Sequence, residues 1–73
     1  MPPDADIRVR FGHRLRRLRQ EHLLSQEELA FRTSLHRTYI SSVERGQRNV
    51  ALINLAKLAK AFGLQIHELL RGI

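Results

Sequence analysis

The chain has 73 residues, which is enough for one small domain and near the lower limit of what folds without a crosslink. Cysteine is absent, which excludes a disulfide framework and a thiolate metal site, so stability must come from close helix packing or from oligomerisation. Thirteen Lys and Arg against seven Asp and Glu give a formal net charge of +6, which favours a polyanionic partner.

The first predicted elements are a short arm and a long helix. Residues 1–6 contain two prolines and two aspartates and are predicted to form a flexible N-terminal arm, so the folded domain is predicted over residues 7–73. From Ile7 onward, apolar residues recur at helical spacing, which predicts helix 1 over about residues 7–22. The arginines of this helix surround it instead of forming one stripe, so most of them are expected to be solvated.

The next segment predicts two short amphipathic helices, which are separated by a four-residue break. Ser25 and Glu28 have the spacing of a capping box, which predicts helix 2 over about residues 26–32. After a turn at residues 33–36, helix 3 is predicted over about residues 37–45, ending at Gly46, where a left-handed residue costs least. Apolar residues of the two helices are expected to pack together and to leave the polar residues of helix 3 facing outward: Arg37, Thr38, Tyr39, Ser41 and Ser42.

The remaining chain predicts two more helices. Helix 4 is expected from about Leu52 to Phe62, before Gly63, and a short helix 5 within residues 64–70. Neither strands nor internal repeats are indicated. The sequence therefore predicts an all-α, compact five-helix domain in which helices 2 and 3 form a helix-turn-helix, the motif that presents its second helix to the major groove of DNA.

The segment LSQEELAFRTSLHRTYISSVERGQR at residues 24–48 resembles, almost position by position, the Cro/repressor-like (XRE-type) helix-turn-helix family. The likeness extends over about residues 11–70, and RTYISSVERGQRN followed by LIN looks most like the controller proteins of restriction–modification systems. This resemblance implies a lambda-repressor-like fold and a sequence-specific transcriptional regulator that binds inverted-repeat operators as a homodimer. Phage-type repressors and antitoxin-type autoregulators contain similar segments and remain alternatives.

The chain departs from the family pattern at loops and caps. Leu23 and Ser34 stand where glycine is usual, and a branched residue held at positive φ would cost on the order of 1 kcal/mol. The usual capping residues of helices 3, 4 and 5 are replaced by His36, Ala51 and Gln65, and each weakened cap would cost about 1 kcal/mol. Folding is therefore expected to depend more strongly on a dimer interface.

The resemblance implies DNA contacts for two groups of residues. At the start of helix 3, Arg37 could donate two hydrogen bonds to guanine, and Thr38 could offer a hydroxyl or a methyl group to a base. Alternatively, Arg37 could be solvated or bound to a phosphate, and Tyr39 could pack on the turn. Ser42 could serve only as a small side chain that lets the helix approach DNA closely. The expected base contacts are Arg37, Thr38, Tyr39 and Ser42, and the expected phosphate contacts are Ser25, Gln26, Arg48 and Asn49.

Two further sets of residues are expected to be structural. Arg19 and Glu44 match a partly buried ion pair that ties helix 1 to helix 3 in the family. Helix 5 and the neighbouring face of helix 4 carry more apolar residues than a 73-residue core can bury, so a symmetric partner is expected to cover the surplus. The predicted dimer interface consists of Ile53, Leu64, Ile66, Leu69, Leu70 and Ile73.

Other classes of function fit the residues less well. Four histidines are scattered without metal-ligand or acid–base spacing, so neither an enzyme nor a metal or cofactor site is expected. A helix-turn-helix used for protein docking is the rival from another class, because the outer face of helices 4 and 5 is apolar. No apolar run approaches the roughly 20 residues of a membrane span, so no membrane association is expected and the protein is expected in the cytoplasm. The candidate partners are double-stranded DNA, a second copy of the chain and RNA polymerase.

Overall fold

The computed structural model describes residues 5–73, which form five helices joined by short connections, with no strand among them. The helices are α1 (Ile7–Glu21), α2 (Gln26–Thr33), α3 (Arg37–Glu44), α4 (Leu52–Ala61) and α5 (Ile66–Leu69). The predicted all-α fold is confirmed, and the four longer helices begin where the sequence predicts. Within these residues, no helix has the length and apolar character needed to cross a membrane.

The N-cap of α1 lies within the predicted arm. Residues 1–4 lie outside the described part of the chain, but Asp6, which the sequence analysis assigned to the arm, is the N-cap of α1. Its carboxylate accepts hydrogen bonds from the side-chain Nε of Arg8 at 3.0 Å and from the Arg8 amide at 2.8 Å. These bonds hold the pKa of Asp6 below its ordinary value. The helix therefore begins with an ionised cap.

The core receives one completely buried branched aliphatic side chain from each helix. These five residues, each 0% exposed, are Leu15, Leu29, Ile40, Leu58 and Leu69. Leu69 was expected at a subunit interface, and the structure instead places it in the core, because it is the α5 side chain that packs against the rest of the domain. An interface on the surface of this chain therefore cannot use Leu69 without opening its core.

Helices α1 and α3 approach closely at Gly12. A Cβ atom at this position would lie 2.6 Å from the carbonyl oxygen of Val43 and 2.7 Å from that of Glu44, so no larger residue fits without moving α3. At the end of α3, Gly46 has a positive φ of 75°, and a Cβ atom there would lie 2.8 Å from the Cα of Val9. These two glycines therefore allow α3 to lie directly against α1.

Arg14 connects α1 to the short helix α5. Its Nε and Nη2 atoms donate hydrogen bonds to the carbonyl oxygens of Leu69 at 3.1 Å and Glu68 at 2.9 Å. A cation at this end of a helix satisfies free carbonyl groups and complements the helix dipole. Arg14 is thus an exception among the α1 arginines, most of which were expected to be solvated.

The two unusual loop residues adopt left-handed backbone geometry, whereas the unusual cap residues do not cap their helices through side chains. Leu23 and Ser34 have φ values of 55° and 58°, so the left-handed turns are kept although neither residue is glycine. His36 and Ala51 make no side-chain capping bond, as expected. The side chain of Gln65 likewise makes no capping bond, although its backbone amide donates to Oε1 of Glu68 at 2.9 Å, which supplies one bond at the start of α5.

Candidate nucleic-acid interface

Hydrogen bonds define both the start of α2 and the turn that joins α2 to α3. At the start of α2, the amide of Glu28 donates to Oγ of Ser25 at 3.0 Å, and the amide of Ser25 donates to Oε1 of Glu28 at 2.9 Å. The predicted capping box is confirmed, and the bond from the Ser25 amide lowers the pKa of Glu28. After α2, Ser34 reverses the chain and the Leu35 amide donates to the Ala30 carbonyl at 3.1 Å.

The first turn of α3 is accessible to a binding partner. Arg37 and Thr38 are exposed, and within residues 5–73 neither side chain makes a hydrogen bond. His36 leaves the free amides at this helix start without a side-chain partner. The five N–H donors of the Arg37 guanidinium are therefore available to a polyanion or a base edge. This is the arrangement that the sequence analysis expected for these two residues.

Tyr39 is half-buried and contacts both the loop after α3 and helix α4. Its hydroxyl accepts a hydrogen bond from Nδ2 of Asn54 at 3.1 Å. The guanidinium carbon of Arg48 lies 5.5 Å from the centre of the Tyr39 ring, within the range of a cation–π contact. Both open roles of Tyr39 are thus compatible with its position, because the ring packs while the hydroxyl hydrogen remains free to be donated.

Ser42 does not face outward as expected. The residue is only 7% exposed, and its Oγ donates to the carbonyl oxygen of Tyr39 at 2.9 Å. The same oxygen accepts a hydrogen bond from Nε of Arg48 at 3.0 Å. This burial argues against the base contact expected for Ser42, because the hydroxyl is already occupied by neighbours within the chain.

Arg45 is a cation of this surface that the sequence analysis did not single out. It donates one hydrogen bond to the hydroxyl of Ser41 and another, from Nε, to Oε1 of Gln47 at 3.3 Å. The side chain is exposed at the end of α3. The spacing of Ser41 and Arg45, four residues apart on one helix, was the available signal for their contact.

Behind the exposed surface, the expected ion pair between Arg19 and Glu44 is present. Nε of Arg19 lies 2.7 Å from Oε2 of Glu44, and the two side chains are 13% and 5% exposed. A second bond joins Arg19 Nη2 to Glu44 Oε1 at 3.0 Å, and Nη1 donates to the carbonyl oxygen of Leu24 at 2.9 Å. The hydrogen bonds to Glu44 raise the pKa of Arg19. The pair therefore ties α1 to α3.

The expected phosphate-binding residues lie on two segments. Gln26 begins α2 and donates from Nε2 to Oε1 of Glu44 at 3.3 Å, so the ion pair also orients this side chain. Ser25 is exposed beside it, next to the free amides of the helix start. Arg48 and Asn49 are exposed in the loop after α3. Across residues 5–73, no group of three or more His, Asp and Glu side chains is placed to hold a metal ion.

Comparison with known proteins identifies the family. A family model described as helix-turn-helix matches residues 15–69, which is more than half of the chain. The chain belongs to the helix-turn-helix family. Control protein C.BamHI of Bacillus amyloliquefaciens is 52% identical over 66 residues, covering 89% of this chain and 82% of that protein. Control protein C.MunI of a Mycoplasma species is 48% identical over 69 residues, covering 93% of each.

A solved structure supports the same assignment. The restriction–modification controller protein C.AhdI from Aeromonas hydrophila has a TM-score of 0.83 and 54% sequence identity, covering 86% of this chain and 96% of that chain. The predicted resemblance to controller proteins within the helix-turn-helix family is therefore confirmed. As a helix-turn-helix family member, the chain is a DNA-binding transcription regulator and not an enzyme.

Proposed function

We propose that this helix-turn-helix protein is a restriction–modification controller that binds an inverted-repeat operator as a homodimer. The main structural support is the first turn of α3, where Arg37 and Thr38 are exposed and make no hydrogen bond within residues 5–73. The similarity to C.BamHI and C.AhdI supports the controller group over phage-type and antitoxin-type regulators. A cytoplasmic location and contact with RNA polymerase are further parts of this proposal.

Base recognition is assigned to the exposed end of α3. Arg37 reads a guanine through two parallel hydrogen bonds, because its guanidinium has no competing partner nearby, and Thr38 contacts the neighbouring base edge. Tyr39 adds a contact through its hydroxyl hydrogen. Ser42 is left out of the base contacts, because it is buried and its hydroxyl is bonded to Tyr39 and Arg48.

Backbone binding is assigned to residues on both sides of the recognition helix. The start of α2 brings Ser25, Gln26 and the first free amides of the helix toward one phosphate. The loop after α3 brings Arg48 and Asn49 toward another. Such contacts fix the position of the protein on the duplex, while the bases are read by α3.

The homodimer is assigned to α5 and the neighbouring face of α4. Ile53 is 71% exposed, so most of this side chain is available for burial by a partner subunit. Leu69 is excluded from the interface because it is 0% exposed in the single chain. The proposed interface consists of Ile53, Leu64, Ile66, Leu70 and Ile73.

A protection footprint on the DNA upstream of the chain's own gene tests this function. Small regulators of this type commonly act there, and the expected result is protection of two related half-sites on one face of the duplex. A random duplex of the same length serves as the competitor control, and it should bind at least about a hundredfold more weakly. Equal affinity for both duplexes would contradict sequence-specific regulation.

A further inference from the structure

A chain of polar contacts runs from helix α4 to the loop after α3. Asn54, in the first turn of α4, donates to the hydroxyl of Tyr39 at 3.1 Å. The Tyr39 ring lies under the guanidinium of Arg48, 5.5 Å from its carbon to the ring centre. Ser42 completes the set, because it donates to the Tyr39 carbonyl oxygen and accepts from Arg48. We call these four residues the Arg48 support.

We propose that Asn54 is a positioning residue for DNA binding, which acts through Tyr39 to hold Arg48 in the orientation that meets the DNA backbone. The inference rests on the proposed contact of Arg48 with a phosphate. It adds a residue of α4 that has no DNA contact of its own in the proposed function. Asn54 directly follows Ile53, so the Arg48 support begins next to the proposed subunit interface.

The contacts hold the Nε atom and one face of the Arg48 guanidinium and leave its Nη atoms available to a phosphate. Its Nε atom is held by Ser42 and its flat face by the Tyr39 ring, while within residues 5–73 its Nη atoms donate no hydrogen bond. Those Nη atoms are the donors that suit a phosphate. An arginine on an exposed loop would otherwise sample many rotamers, and binding DNA would have to immobilise it.

Asn54 contacts the Tyr39 ring and not the charged guanidinium of Arg48. Tyr39 is half-buried, and the hydrogen bond to its hydroxyl ties the far end of the ring to α4. Removing that bond leaves the ring free to shift away from the guanidinium. Since a dimer has two copies of Arg48, we expect Asn54→Ala to weaken operator binding about tenfold, from the cost of ordering two arginine side chains.

The experiment is a mutant cycle measured by operator affinity, with thermal unfolding and sedimentation of each variant. The variants are Asn54→Ala, Tyr39→Phe, Arg48→Ala and the double variant Asn54→Ala/Arg48→Ala. We expect Asn54→Ala to weaken binding in the wild-type background and to have a much smaller effect when Arg48 is already alanine, because only the Tyr39 hydroxyl contact is then left to disturb. Lys57→Ala, on the same helix, is the control for a change in α4 that does not touch Tyr39.

A second measurement reports on the Arg48 side chain without DNA. The Nε–Hε resonance of Arg48 in an NMR spectrum, identified by its loss in Arg48→Ala, should be shifted from the position of a free arginine, because this hydrogen is donated to Ser42. In Asn54→Ala and Tyr39→Phe it should move toward the position of a free arginine, whereas a loss of stability alone would leave it unchanged at temperatures where the protein is folded.

The outcomes separate this inference from the proposed function. If Arg48→Ala weakens operator binding but Asn54→Ala does not, or if the two changes add fully in the double variant, the positioning role is wrong and the Arg48 contact stands. If Arg48→Ala leaves the affinity unchanged, the proposed phosphate contact is wrong. An Arg48 resonance that is identical in wild type and Asn54→Ala would overturn the positioning role by itself.

Discussion

Arg37 and Arg48 are both exposed cations beside α3, but they have different surroundings. Arg37 makes no hydrogen bond within residues 5–73, whereas Arg48 is held by Ser42 and Tyr39. A side chain that reads bases needs all its donors, and a side chain that clamps a phosphate gains from being held in place. The two arginines therefore fit different roles in one binding surface.

The two roles predict different mutant behaviour. Arg37→Ala should lose about 1–3 kcal/mol on the operator and change affinity for random DNA little, because its contacts are to base edges. Arg48→Ala should weaken operator and random DNA by similar factors, because every duplex presents the same phosphates. Competition binding with both duplexes measures this. Equal losses on both duplexes for Arg37→Ala would show that Arg37 contacts phosphates and not base edges.

Leu23 occupies a conformation that favours glycine. Its φ is 55° and its side chain is 88% exposed, so the residue has backbone strain and little packing to compensate for it. We expect Leu23→Gly to raise the free energy of unfolding by about 0.5–1 kcal/mol, after allowing for the greater entropy of unfolded glycine. Thermal unfolding measures the change. Leu23→Ala is the control, since it removes the same side chain but keeps Cβ; an equal gain would show that strain is not the cause.

At the scale of helices, the motif is held on α1 by a close approach and an ion pair. Gly12 lets the backbone of α3 lie against α1, and Arg19 binds Glu44 beside this contact. Glu44 also receives a hydrogen bond from Gln26 at the start of α2. The ion pair therefore fixes the relative positions of three helices, including both helices of the motif.

Breaking the ion pair on one side should destabilise the domain strongly. Glu44→Gln leaves the largely buried Arg19 cation without its partner, and we expect a loss of about 3 kcal/mol in the free energy of unfolding. In a domain of this size, the melting temperature should fall by on the order of 15 °C. Glu21→Gln, which neutralises an exposed carboxylate at the end of α1, is the matched control and should change stability by less than about 0.5 kcal/mol.

A double variant checks the reason for this loss. When Arg19→Met and Glu44→Met are combined, no charge remains unpaired, so much of the stability lost in either single variant should return. Thermal unfolding of the two single variants and the double variant gives the coupling between them. A double loss that equals the sum of the two single losses would indicate that the residues do not act as a pair.

At the scale of the whole molecule, the domain leaves several large apolar side chains in solvent. Ile53 is 71% exposed and lies in the proposed interface, while Phe31 is 88% exposed on α2. We expect a dimer in sedimentation at micromolar concentration and a monomer for Ile53→Glu, because a buried, unpaired carboxylate is costly. Phe31→Glu is the control and should remain a dimer. A monomeric wild type at this concentration would contradict the homodimer.

The proposed dimer would determine the geometry of its operator. Two recognition helices related by a two-fold axis enter successive major grooves when they lie about 34 Å apart, so the half-site centres should be about one helical turn apart. Inserting five base pairs between the half-sites should abolish dimer binding, because it turns the second groove to the far side of the duplex. The same five base pairs inserted outside the half-sites are the control and should leave affinity unchanged.

The salt dependence follows from the same geometry. We expect one exposed arginine near the N-terminus of α1 to meet the flanking DNA backbone. Together with Arg48 and the amides at the start of α2, it would neutralise roughly six phosphates per dimer, which gives a log–log salt slope near −5. Operator affinity measured over a series of salt concentrations gives this slope. A slope near zero would exclude backbone binding of this extent.

Interactions between neighbours in the chain could be predicted from the sequence alone. The starts of the four longer helices and the capping box of Ser25 and Glu28 follow from contacts three or four residues apart, which depend only on residue order and helix geometry. The family resemblance supplied the ion pair of Arg19 and Glu44, whose residues lie 25 positions apart and cannot be paired by local spacing.

Other contacts were determined only when the helices packed. Arg14 binds the end of α5 across 55 positions of the chain, and Asn54 reaches Tyr39 across 15. Ser42 and Leu69 were both expected on the surface, but helical spacing does not show which flank of a short helix turns inward. Which flank is buried depends on the neighbouring elements, because burial depends on what covers a side chain. For these two residues, the covering groups come from distant parts of the sequence or from the loop that folds back over α3.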